Sequence, residues 1–179
     1  MNFRLPMLVL MGLLLVVVMP LHSAMAEEEF KLQASAVWQS KGSVYLIGEN
    51  EALFVGGFSG IMFANDKKGN LNAAQLVCPS MMEINLQNGE TSGQGRCIIT
   101  NAEGHRVFAK WQCEGAATQG CKGDFKFLAG TEKFQGVSGG GEFVLRSAIG
   151  KLTADLVSGD VNTIGLGLAA WPNLTVKLP

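Results

Sequence analysis

The chain has 179 residues, of which 14 are basic and 15 acidic, a formal net charge of −1, and 47% of it is hydrophobic. That balance offers no basic excess for nucleic acid or an anionic membrane surface. The length suits one domain with a substantial core. Of the 23 glycines, all but Gly12 fall between or within alternating apolar runs and not in polar tracts, which argues against disorder.

The chain opens "MNFRLPMLVLMGLLLVVVMPLHSAMAEEEF", with one early positive charge at Arg4 and an apolar run of 13 residues from Met7 to Met19. The run fits the core of an export signal and falls short of the roughly 20 residues of a stable spanning helix. Ala24-Met25-Ala26 supplies the small-x-small pattern of a cleavage site. Residues 1–26 are therefore expected to be a cleavable signal peptide. Residues 27–179 are then a single exported domain, periplasmic or extracellular, with no membrane anchor after cleavage.

Four cysteines, Cys78, Cys97, Cys113 and Cys121, lie in that domain. An even count in an exported chain predicts two disulfides, and three connectivities are open. Cys78–Cys97, tying neighbouring strands, and Cys113–Cys121, closing "EGAATQG", are the favoured pairs. A zinc site is disfavoured because no C-x-x-C pair exists and His105 is not spaced for one.

In chain order, Phe30, Leu32, Ala34, Ala36 and Trp38 alternate with polar residues, which predicts a strand with one buried face. Val107, Ala109, Trp111 and Cys113 repeat the pattern, as do Phe125 with Phe127 and Phe143 with Leu145. Between the runs stand "KGS", "GEN", "NDKKGN", "QNGETSG", "NAEGH", "LAGTEKFQG" and "VSGD", rich in the residues that turns require. Short strands at close spacing predict an all-β barrel or sandwich, and Gly56, Gly57, Gly60, Gly165 and Gly167 fall inside expected strands, where glycine marks sharp bends. The tail "VNTIGLGLAAWPNLTVKLP" reads as one or two closing strands broken at Pro172, with Asn173-Leu174-Thr175 as a glycosylation triplet.

The stretch "GTEKFQGVSGGGEF", Gly130 to Phe143, is not a phosphate loop: it has no Gly-Lys-Ser/Thr string, and its glycines open a strand-like segment where a dinucleotide fingerprint opens a helix. A turn around Thr131-Glu132-Lys133 with Phe134 tucked into a barrel end is expected instead. The stretch resembles the G-T-G-x-F-x-G-x-x-G-x-G-x-F signature of bacterial relatives of the allene oxide cyclase barrel and, more distantly, of dirigent proteins. "GRCIITNAEGHRVFAKWQCEG" is similar to the segment before it. The resemblance implies a small eight-stranded antiparallel barrel of calycin-like shape, and it implies no activity. Glu132 departs from it where the signature has glycine, and His105 where an acidic residue is common.

Candidate chemistry is sparse. His105 sits in a turn, without the neighbours of a nucleophilic triad. Of the acids on or near strands, Glu83, Glu103, Asp124, Glu142 and Asp155, alternation turns Asp124 and Glu142 outward. "NDKKGN" lacks the ligand spacing of a calcium loop and reads as a hairpin turn. Trp38, Trp111, Phe125, Phe127 and Phe143 are the candidate lining of the barrel interior. The expected function is a non-catalytic binding or structural module for a small apolar ligand or a partner protein, with no metal or cofactor. The alternative is a cyclase- or isomerase-like enzyme folding an apolar substrate in the cavity.

Overall fold

The computed structural model describes residues 28–65, 71–117, 119–148 and 165–179. They form eight antiparallel strands: β1 (Glu28–Gly48), β2 (Glu51–Ala64), β3 (Ala74–Asn85), β4 (Glu90–Thr100), β5 (Arg106–Ala116), β6 (Gly120–Gly130), β7 (Ser138–Ala148) and β8 (Gly165–Leu178). Each pairs with its neighbours in sequence, and β8 pairs back onto β1 to close the barrel. Residues 1–26, expected to be a signal peptide, and Asp155 lie outside the described residues.

The alternation seen in the sequence is the alternation of the wall. Leu32, Ala34, Ala36 and Trp38 face inward on β1, with Val107, Ala109, Trp111 and Cys113 on β5, Phe125 and Phe127 on β6, and Phe143 and Leu145 on β7, all buried. Turns are closed by the side chains expected to close them. The Asn85 Oδ1 accepts from the backbone N–H of Gln87 at 2.9 Å and of Asn88 at 3.1 Å. At the next turn, the buried Asn101 accepts from the N–H of Glu103 at 3.0 Å and of His105 at 2.9 Å.

Several expected boundaries move. Lys41-Gly42-Ser43 is not a turn but the middle of β1, because Gly42 pairs with Gly56 and neither has a side chain to keep the two strands apart. A Cβ at Gly42 would stand 2.7 Å from the Gly56 Cα and 2.6 Å from the Phe54 ring. Glu90 to Gly93 likewise belongs to β4, and Leu128 to Gly130 to β6. The tail is one strand, unbroken at Pro172. Leu32 faces Leu174 and Ala34 faces Trp171, so Pro172 and Asn173 stand opposite the single residue Gln33. This bulge accommodates the proline, which has no N–H for the ladder, and leaves Asn173 exposed.

The glycine-rich stretch turns the chain as expected. A 3-10 turn spans Glu132–Phe134, and Phe134 is buried at the barrel end. Glu132 has φ 50°, a left-handed conformation that favours glycine over a residue with a side chain. Both disulfides, Cys78–Cys97 across β3 and β4 and Cys113–Cys121 across β5 and β6, have the favoured connectivity. Two such bonds are consistent with an oxidising compartment.

Candidate functional site

The five aromatic candidates are buried in one cluster. Edge-on and stacked contacts run through the barrel from Phe58, 4.9 Å from Trp38 and 5.9 Å from Trp111, to Phe143 and Trp171, and on to Phe125 and Phe127, with successive ring centroids 5.3–6.0 Å apart. Such pairs contribute beyond their buried area. Trp38, Trp111, Phe125 and Phe143 border one internal cavity together with Trp171 and the Cys78–Cys97 bridge. Phe127 packs against Phe125 without reaching it. Phe58 and Trp171 are the lining rings that the sequence reading missed, Trp171 because the bulge at Pro172 hides its register.

That cavity measures about 30 Å³, against roughly 300–1,000 Å³ for pockets that enclose a small molecule. An eight-stranded barrel is just wide enough for its own side chains to fill it, and here six large rings border what space is left. The polar signature of the cavity is two indole N–H groups, Trp38 Nε1 and Trp171 Nε1, buried without a partner. Among the described residues the buried polar side chains are Thr91 and Asn101, and both are neutral.

The described acids lie outside. Glu83, Glu103, Asp124 and Glu142 are all exposed, and Asp124 faces Glu142 across β6 and β7. Glu103, at the tip of the β4–β5 turn, accepts a hydrogen bond of 2.8 Å from Lys133 Nζ. That bond, with the charge of the same ammonium, holds the carboxyl below the usual carboxylate range. His105 Nδ1 lies 3.2 Å from the Glu103 carboxylate without forming an aligned hydrogen bond, so the two are near neighbours but not a catalytic pair. Asn65 ends β2's exit, and the rest of "NDKKGN" lies outside the described residues. No group of metal-ligating side chains occurs among the described residues.

The outer wall is divided. On β8, β1 and β2 the middle of the face carries no charge. Leu168, Val37 and Ile61 stand in one row, directly opposite each other, and are 46%, 52% and 45% exposed. Phe63 and Leu166 flank them and are also exposed. Ser35, Gln39 and Ser59 fill the intervening outward positions. The charged outward residues of the described strands concentrate on β4 to β7.

No helix among the described residues is long and apolar enough to cross a membrane. Comparison of the chain with protein families, with curated proteins and with solved structures finds no match.

Proposed function

We propose that this protein is an exported, non-catalytic module that works through the outside of a filled barrel, holding a partner protein on the face formed by β8, β1 and β2. The observation that carries the reading is the interior. A cavity of about 30 Å³ bordered by rings and a disulfide offers neither the room of a ligand pocket nor an ionisable group for acid–base work. A contiguous exposed apolar patch is, by contrast, a feature that soluble surfaces carry where something binds. Leu168, Val37 and Ile61 form the centre of such a patch. Kinship with the bacterial relatives of the allene oxide cyclase barrel belongs to the same proposal. Eight strands, and the placement of "GTEKFQGVSGGGEF" from the end of β6 into β7, support it.

Native mass spectrometry of the protein isolated from its own host tests the reading. The expected spectrum contains the bare chain and a complex with a second protein, and the complex is lost in Val37→Glu while the fold is retained. A stoichiometric small apolar compound on the chain would overturn it.

A further inference from the structure

On the opposite side of the barrel, Arg96, Lys110 and Lys126 are brought into one row. Arg96 pairs with Lys110 across β4 and β5, and Lys110 with Lys126 across β5 and β6. All three are exposed. None joins an ion pair among the described residues. Like charges directly opposite on neighbouring strands stand about 5 Å apart and destabilise the sheet, so the fold gains nothing from this arrangement. A groove of about 390 Å³ runs over the three side chains, with Gln94, Gln112 and Asp124 beside them.

The next outward row along the same strands is apolar. Ile98 on β4 faces Phe108 on β5, and Leu128 sits beside them where β6 bulges. Ile98 is 36% and Leu128 40% exposed, and Phe108 is half-buried. Arg106 stands outward on the far side of Phe108, so β5 presents Arg106, Phe108 and Lys110 in succession on its outer face. Asp124 and Glu142 lie one row further on the far side of the cations, and at the end of the barrel beyond Arg106 stand the exposed Glu132 and Glu103, the latter bound to Lys133.

We infer that this face of β4, β5 and β6 docks on an anionic lipid bilayer. The arrangement fits a face laid flat on a membrane interface. Ile98, Phe108 and Leu128 meet the acyl boundary, and the cations that bracket them, Arg106 on one side and Arg96, Lys110 and Lys126 on the other, meet the phosphates. A chain of net charge −1 shows no such preference in composition; strand pairing gathers the charge locally. The contact is peripheral and independent of the β8, β1 and β2 face.

Sedimentation of the full chain with vesicles tests this, using phosphatidylcholine alone and phosphatidylcholine with one third phosphatidylglycerol at low salt. The segment before Glu27 is common to every protein compared, so differences between lipids and between variants report on the row. Binding is expected to be at least tenfold tighter to the anionic vesicles. Lys110→Gln with Lys126→Gln should lose roughly 25-fold, about fivefold for each charge near the surface, with a melting temperature unchanged or higher because the like-charge opposition is relieved. Val37→Glu should bind vesicles as the unaltered protein does, which separates this proposal from the partner-protein reading. Equal binding to both vesicle types, an unaffected Lys110/Lys126 variant, or retention by soluble heparin without vesicle binding would each overturn it.

Discussion

Removing the Cys78–Cys97 bridge by replacing both residues with alanine should cost this protein about 3 kcal/mol. The bond closes a loop of sequence separation 19, the Cys113–Cys121 bond one of 8. Loop-closure entropy then gives about 3.2 kcal/mol for the first and about 2.5 kcal/mol for the second. The first figure is a lower bound, because Cys78 and Cys97 are both buried and losing two sulfur atoms from the lining of a filled barrel also removes packing. Urea unfolding of the oxidised protein and the double variant measures it. Since the bond acts on the unfolded chain, the slope of stability against urea should rise in the variant as the unfolded state expands. The melting temperature should fall by about 6–13 °C, at roughly 2–4 °C per kcal/mol for a domain of this size. A loss below about 1 kcal/mol with an unchanged slope would refute the reasoning. The two bonds together amount to about 6 kcal/mol, comparable with the whole stability of many domains, so a reducing compartment would leave this barrel marginal.

Glu132→Gly should stabilise the fold by about 0.5–1 kcal/mol, because the left-handed conformation costs a side chain about 1–2 kcal/mol and glycine returns part of that as chain entropy; a lowered urea midpoint would contradict it. Glu103, held below the usual carboxylate range by Lys133, should titrate at higher pH in Lys133→Met when followed by carboxyl NMR. The sign follows from linkage: a depressed carboxyl contributes stability above its unfolded-state pKa and loses it as pH falls through the folded-state value. The effect is confined to the acid side of that range and weakened by salt, because the pair is exposed. Identical titration of Glu103 in both proteins would show that Lys133 is not the cause.

Strand alternation was legible wherever large side chains mark one face, as in Phe30 to Trp38 and Val107 to Cys113, because one residue in two must be buried whatever the neighbouring strand is. It was illegible where glycine replaces the marker. Gly42 and Gly56 leave "KGS" looking like a turn although the pair lies inside a continuous ribbon. Pro172 suggested a break because local chemistry cannot reveal that the partner strand tolerates two residues opposite one. The disulfide pairing was favoured from loop length and neighbourhood but open among three connectivities, and it is the strand pairing that brings Cys78 to Cys97 and Cys113 to Cys121. The aromatic candidates were legible as inward-facing, but the volume left between them depends on rings from six strands and is not written in any one of them. The row of Arg96, Lys110 and Lys126 was hidden for a related reason, since three residues far apart in sequence become neighbours only through two consecutive registers.

The pairing of Glu28 with Leu178 and of Ser40 with Gly165 places the first strand beside the last. Seven of the eight ladders join neighbours in sequence and can form as the chain emerges. The eighth waits for the far end, and until it arrives β1 and β7 each present an open edge that other chains could pair with. Such long-range closure is a slow step. A chain delivered in order from its first strand thus stays open until delivery is complete, which makes a truncated product, lacking β8, the form most prone to aggregate.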